Sequence, residues 1–415
     1  VNRSLLSAGR LVYAILTGLA LVAVSLNTAL IDTVGEYTLQ SGIAAAIATI
    51  IPLGVDRALA RRRASGELRI DLPYSLLRFR LVEIAVLSIL AAVTAFVLTE
   101  WLLPFVCLLF ATSRLVYNDL ETLWIASHRG TSGLGVALIV NGAVTAAGIY
   151  FGAPLGAEAM LALSSCGNLA AALLLWLVGS WTTGTFRLAE VTSEAIGFGA
   201  SATLAVVYAR LDLIVIAVVG IDLRAVAVYG IILRAYDTLS LIRGSIAQLE
   251  IRKLARLDER ERFRSALMLG GRIEIGALAL AVAGAAVCAL AFATPFLTAW
   301  QGQLLALLLA CAGIPMFAAH LPTSAIVYSD PRTALLFKGS VIGALSAAAI
   351  KTLLIWVWGV NGGVTAIAIC ELVSFFIFAA LYSPGNQKGD VARFLVGPLI
   401  SLGLSVALLI LGGPR

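Results

Sequence analysis

Residues 201–240 read SATLAVVYAR LDLIVIAVVG IDLRAVAVYG IILRAYDTLS. They lie in two apolar runs, 193–219 and 224–249, separated only by a short turn that holds Gly220 and Asp222. Each run is long enough to cross a bilayer as a helix, which takes roughly 20 apolar residues. Each also carries charge in its interior: Arg210 and Asp212 in the first, Arg234 and Asp237 in the second. A charge near the bilayer centre costs about 2.5–3.5 kcal/mol on insertion scales, so such groups must face protein or water. The stretch therefore reads as two adjacent membrane helices with ionisable side chains turned inward.

The rest of the chain repeats this pattern. Of 415 residues, 60% are hydrophobic and 13% charged, against about half and about a quarter in soluble domains. An ordinary soluble enzyme is excluded. Membrane-length runs fall at 8–29, 38–56, 78–98, 101–127, 133–152, 157–178, 193–219, 224–249, 267–293, 302–328, 334–357, 362–382 and 393–411. The first is preceded by Arg3 and Arg10 like a signal peptide, but Leu11 to Ile31 is too long for a signal core, so a retained helix is expected. The Val1 start fits an alternative start codon or a trimmed terminus. The fold class is an all-α polytopic membrane protein.

The formal net charge of +6 sits in the connections and does not form a nucleic-acid-binding face. The connection after the second run holds Arg57, Arg61, Arg62, Arg63, Arg69, Arg78 and Arg80; that after the eighth holds Arg252, Lys253, Arg256, Arg260, Arg262 and Arg264. The alternate connections are short and hold Asp32, Glu36, Glu100, Glu158 and Asp222. Lys and Arg stay on the cytoplasmic side, which predicts a cytoplasmic N-terminus. The charged stretch Glu250 to Arg264, with Asp258 and Arg262 at i,i+4, reads as a solvated helix extension.

An internal duplication is expected. The second run enters after Gly35, Glu36 and Tyr37, the eighth near Val228, Tyr229 and Gly230, and both leave into arginine clusters. The offset is about 190 residues, a repeat of two six-helix lobes. The predicted division is an N-terminal lobe over 1–180, a linker over 181–192, a C-terminal lobe over 193–383 and an extra thirteenth helix over 384–415. Gly135, Gly142 and Gly148 suggest close helix packing, and Gly197 and Gly199 a place to bend. The five cysteines (Cys107, Cys166, Cys288, Cys311 and Cys370) read as small buried hydrophobes.

Seven intramembrane groups, Arg114, Arg210, Asp212, Arg234, Asp237, Lys351 and Glu371, would together cost on the order of 20 kcal/mol facing lipid. A hydrated internal cavity is the economical expectation. Arg114, Tyr117, Asn118 and Glu121 share one helix face. Arg234 and Asp237, three apart, share another and are spaced to pair, with Gly244 and Gln248 continuing their stripe. Four of the seven are basic, and arginine suits phosphate or diphosphate; Lys351 could equally snorkel to the surface. No P-loop, HExxH or dinucleotide glycine fingerprint is present, His128 and His320 form no metal set, and the short outer connections leave no room for a catalytic loop. No catalytic residue, metal or cofactor is expected.

The segment Gly35-Glu36-Tyr37 through Pro52-Leu53-Gly54-Val55-Asp56-Arg57-Ala58-Leu59 resembles the second-helix pattern of polysaccharide-type flippases of the MOP superfamily (multidrug/oligosaccharidyl-lipid/polysaccharide exporters). Tyr208-Ala209-Arg210-Leu211-Asp212-Leu213-Ile214 is similar to their seventh helix, and Val228-Tyr229-Gly230 through Arg234-Ala235-Tyr236 to the start of their eighth. The resemblance implies two six-helix bundles of MATE/MOP type around a central cavity that alternates access, moving undecaprenyl-diphosphate-linked oligosaccharide outward for cell-surface polysaccharide synthesis. On that reading Arg114, Arg210, Arg234 and Lys351 bind substrate, while Asp212, Asp237, Glu371 and Glu121 form ion pairs or carry a coupling ion. The implied partners are membrane lipid, the lipid-linked oligosaccharide and polysaccharide-assembly proteins, with no nucleic acid. The chain departs from multidrug relatives in having no Asp, Glu, Lys, Arg or His between Leu11 and Asp32. A drug or small-solute antiporter of the same fold, a polytopic glycosyltransferase or polymerase, and a scaffold for cytoplasmic enzymes stay open as alternatives.

Overall fold

The computed structural model describes the chain apart from residues 1–2, 51–54, 56–57, 60–61, 64–68, 71, 99–101, 127–130, 186–191, 255–256, 294–299, 301, 330–332, 383–390, 393 and 414–415. The described chain is a succession of helices: α1 (Arg3–Ser25), α2 (Ile31–Ile50), α3 (Tyr74–Leu98), α4 (Leu102–Ala126), α5 (Thr131–Gly152), α6 (Ala157–Val178), α7 (Thr192–Val219), α8 (Leu223–Leu254), α9 (Glu259–Phe292), α10 (Leu304–Ala318), α11 (His320–Ser329), α12 (Thr333–Tyr382) and α13 (Val396–Leu411). Eight of the described helices are long and apolar enough to cross a membrane. The protein is an all-α polytopic membrane protein. Its contacts divide it into two compact units, Val1–Val206 and Val207–Arg415, with the boundary inside α7.

In the first unit α5 packs along α1 and α6, and α4 against α2, α3 and α6. Small residues set these approaches, as the sequence suggests. A Cβ on Gly148 would lie 2.6–2.8 Å from the backbone of Leu163 and Ser164, and one on Gly142 would lie 2.8 Å from the Cα of Tyr13. Gly135 backs onto Gly9, whose added Cβ would meet its carbonyl at 3.2 Å. Polar side chains join the same helices: Asn141 (α5) donates to Asn168 (α6) at 3.2 Å, Asn168 donates to Ser113 (α4) at 3.3 Å, and Thr145 donates to Asn141 at 3.1 Å. All four are buried. Gly148→Ala is expected to destabilise the protein by about 1–3 kcal/mol through overpacking. Gly18→Ala, where nothing lies within 4 Å, should leave thermal unfolding in detergent unchanged or raise it slightly. A core of Leu120, Leu123, Trp124, Leu134 and Leu175 fills the far end of the unit, packed against Trp181. A two-residue parallel bridge pairs Leu72–Pro73 with Thr183–Gly184.

In the second unit α10 packs on α9, α12 and α13, while α11 packs on α8, α9 and α12. The structure corrects the run at 302–328, which is two helices. Pro322 removes a donor and clashes one turn back, and the chain breaks at Ala319 between α10 and α11. The runs at 334–357 and 362–382 are two arms of α12 folded at Gly359, whose φ of 60° and ψ of −135° lie outside the helical region. There the carbonyl of Leu354 presses against Gly362, and Gly339 in the first arm abuts Phe378 in the second. Only glycine adopts such a backbone without strain.

Two further expectations are corrected. The stretch around Asp258 is a break and not a continuous extension. Asp258 is the N-cap of α9, accepting from the backbone N–H of Glu261 at 2.8 Å. Arg262 donates to the carbonyls of Leu254 and Leu257, at 3.1 and 3.0 Å, closing the end of α8. Asp32 and Glu36 lie within α2, Asp32 in its first turn where a carboxylate suits the helix dipole. Gly197 and Gly199 lie within the continuous helix α7.

Candidate functional site

The intramembrane charges of the second unit resolve into two clusters. In the first, α7 brings Arg210 and Asp212 against α8 and the first arm of α12. Arg210 donates to the Oδ2 of Asp237 on α8 at 3.0 Å, with their side chains 24% and 42% exposed. Asp212 is fully buried. Its Oδ1 accepts the backbone N–H of Leu213 at 3.0 Å and its Oδ2 accepts the hydroxyl of Tyr229 on α8. The Nζ of Lys351 lies 3.6 Å from the same carboxylate and donates to the carbonyl of Tyr208 at 2.6 Å. Lys351 is 2% exposed, so it does not snorkel to the surface.

The second cluster joins α8, α11 and the second arm of α12. Glu371 is buried, and its Oε2 accepts from the Nη1 of Arg243 at 2.8 Å and lies 3.0 Å from the Nδ1 of His320. Arg243 also donates to the carbonyl of Phe317 at 3.2 Å and stacks 4.5 Å over its ring. The break at Ala319 places His320 beside this carboxylate. Tyr236, stacked on Phe317 with ring centroids 5.0 Å apart, donates to the carbonyl of Ala310 at 2.9 Å.

Arg234 stands apart from both clusters. Its spacing suits a pair with Asp237, but Asp237 is held by Arg210. Half-buried on α8, the Arg234 guanidinium has no hydrogen bond or ion pair to any described residue. The stripe below it at Gly244 and Gln248 lies outside the side chains the structure describes.

In the first unit Glu121 on α4 accepts from Arg10 on α1 at 2.9 Å. Arg114, one of the candidate cations, is half-buried on the same helix, and Tyr117 is buried. A buried ion pair of this unit was not expected. Arg80, read from the sequence as part of a cytoplasmic basic connection, lies inside α3 and is 4% exposed. Its Nε and Nη2 donate to the two carboxylate oxygens of Asp119 on α4 at 2.6 and 2.8 Å, and its Nη1 to Glu83 at 2.5 Å. The signal available was the i,i+3 spacing of Arg80 and Glu83; Arg243, inside the apolar run 224–249, was countable in the same way.

The chain matches no protein-family model and no curated protein sequence. Solved structures do resemble it. The lipid II flippase MurJ in an inward-closed conformation aligns with a TM-score of 0.62 at 10% identity, covering 96% of this chain and 97% of that one. The MATE multidrug transporter DinF-BH aligns at 0.58 with 16% identity, covering 92% and 95%. An inward-facing multidrug resistance MATE transporter of the MOP superfamily aligns at 0.57 with 14% identity, covering 94% and 99%. The chain therefore shares the fold of these solved structures over essentially its whole length.

Proposed function

We propose that this protein is a flippase that moves a polyprenyl-diphosphate-linked oligosaccharide across a bacterial inner membrane for surface polysaccharide synthesis. Its N-terminus and the basic connections face the cytoplasm. The likeness to a lipid II flippase supports the class of cargo. The observation that carries the reading is Arg234. In the spans of the second unit Asp212, Asp237 and Glu371 each face a cation of the protein, and Arg234 is left without a carboxylate partner among the described residues. A half-buried guanidinium in an apolar setting needs an anion, and its planar fork suits a phosphate oxygen pair.

Arg234 is the first anchor for the diphosphate. Arg210 is the second: it rests on Asp237 in the empty state and exchanges that carboxylate for phosphate when cargo arrives. Arg114 on α4 is assigned a substrate-binding role within the first unit. Lys351, sealed beside Asp212, is assigned with Asp212 and Glu371 to coupling, so that change of protonation or of pairing accompanies the switch of access. The polyprenyl tail stays in lipid and no covalent step occurs.

Arg234→Ala is expected to lower surface glycan at least about tenfold, the worth of one charge-assisted hydrogen bond to an ionised group, with protein in the membrane unchanged. Glycan at the wild-type level in that variant removes Arg234 from the binding role. The likeness to MATE multidrug transporters supports a second reading, an antiporter of small solutes. Normal surface glycan and altered drug susceptibility after gene deletion would favour it.

A further inference from the structure

We infer that the second unit carries a binding cleft for one anionic phospholipid, with the lipid phosphate held by Arg272. The cleft lies among α8, α9, α10 and α11 and encloses about 420 Å³. Its walls are Ile242, Ile246, Ile273, Leu280 and Phe317 among other apolar side chains, and its polar members are Arg243 and Arg272. Arg243 is neutralised by Glu371 and lies against the ring of Phe317. Arg272 is exposed and has no hydrogen bond or ion pair to any described residue. Glu274, two positions on, is engaged with the backbone N–H of Gly397. The cleft is thus a greasy slot with one net positive charge.

Its surroundings make it a lipid site. The apolar window of α9 is 6% buried, and Ile275, Val282, Val287 and Leu290 are all strongly exposed on it. The face of α9 turned away from α10 and α11 is solvated by acyl chains. A guanidinium on such a helix is costly against hydrocarbon, and a lipid phosphate within reach is the partner that removes the cost. Basic pockets between transmembrane helices hold anionic head groups on these terms. The acyl chain fills the slot, where Gly276 contributes open space, with nothing within 4 Å of an added Cβ. The inference rests on α8–α11 alone and does not depend on the identity of the transported cargo.

The test uses the purified full chain in detergent, titrated with phosphatidylglycerol or with phosphatidylcholine of the same acyl chains, and reads bound lipid by native mass spectrometry. The wild type is expected to retain phosphatidylglycerol at about tenfold lower concentration than phosphatidylcholine. Arg272→Gln should abolish that preference without weakening phosphatidylcholine. Gly276→Leu, which fills the slot, should weaken both lipids, with the melting of the lipid-free protein unchanged. Equal retention of both lipids by the wild type, or a preference that survives in Arg272→Gln, overturns the assignment. Displacement of phosphatidylglycerol by an equimolar amount of undecaprenyl diphosphate also overturns it, because the cleft then belongs to the cargo.

Discussion

Arg80→Leu is expected to destabilise the protein by about 3–5 kcal/mol, the cost of removing one member of a buried ion pair. Here two carboxylates, Asp119 and Glu83, lose the same buried cation. Arg80 is nearly inaccessible and donates to both oxygens of Asp119 and to Glu83, so its loss leaves both acids in the contact of α3 with α4. Arg80→Lys keeps the charge but loses the fork that spans the Asp119 carboxylate, and should fall between the two. The variant that also carries Glu83→Leu and Asp119→Leu should recover part of the loss, since both carboxylates then leave together with their cation. Unfolding of each purified variant in detergent, followed by heat or denaturant, checks the order. A single variant as stable as the wild type would show that the three side chains are hydrated in solution.

The fold was legible because its cause is compositional. Thirteen apolar runs reflect the need of each backbone group in lipid to bond within its own helix, and among the described residues every run except 302–328 corresponds to a helix or to an arm of one. The misreadings lie where one residue overrides a run. Pro322 divides 302–328, Asp258 caps a new helix inside a charged stretch, and the start of α3 at Tyr74 carries Arg80 inside a helix. These are local backbone events, and hydropathy averaged over a span does not register them.

The candidate site was legible in its members more than in its pairing. The sequence shows that Arg210, Asp212, Arg234, Asp237, Lys351 and Glu371 cannot face lipid. It does not show that Asp237 turns to Arg210 in place of Arg234, or that Lys351 and Glu371 sit in closed contacts. Spacing along one helix fixes which side chains share a face. The partner on a neighbouring helix depends on the rotation and depth of both, and those are set by contacts such as Gly359 and the break at Ala319. Tyr229 illustrates the difference: part of a motif in the sequence, it is in the structure the hydroxyl that completes Asp212.

That closure gives Lys351→Met its large expected effect and its use in separating coupling from scaffolding. Asp212 is fully buried, and Lys351 is the one cation within salt-bridge distance of it among the described residues. With the lysine gone, the carboxylate keeps the Tyr229 hydroxyl and one backbone N–H and no neighbouring cation within salt-bridge distance among the described residues. The single variant should lose about 3–5 kcal/mol of stability and much of its membrane abundance. Adding Asp212→Asn removes the stranded charge and should return both to near the wild-type level. The expected result is that this double variant, folded and abundant, still fails to deliver surface glycan, because a neutral pair cannot exchange protons or partners as access switches. If it instead delivers glycan at the wild-type rate, Asp212 and Lys351 only brace α7 against α12, and coupling must lie with Glu371 or be absent from this unit.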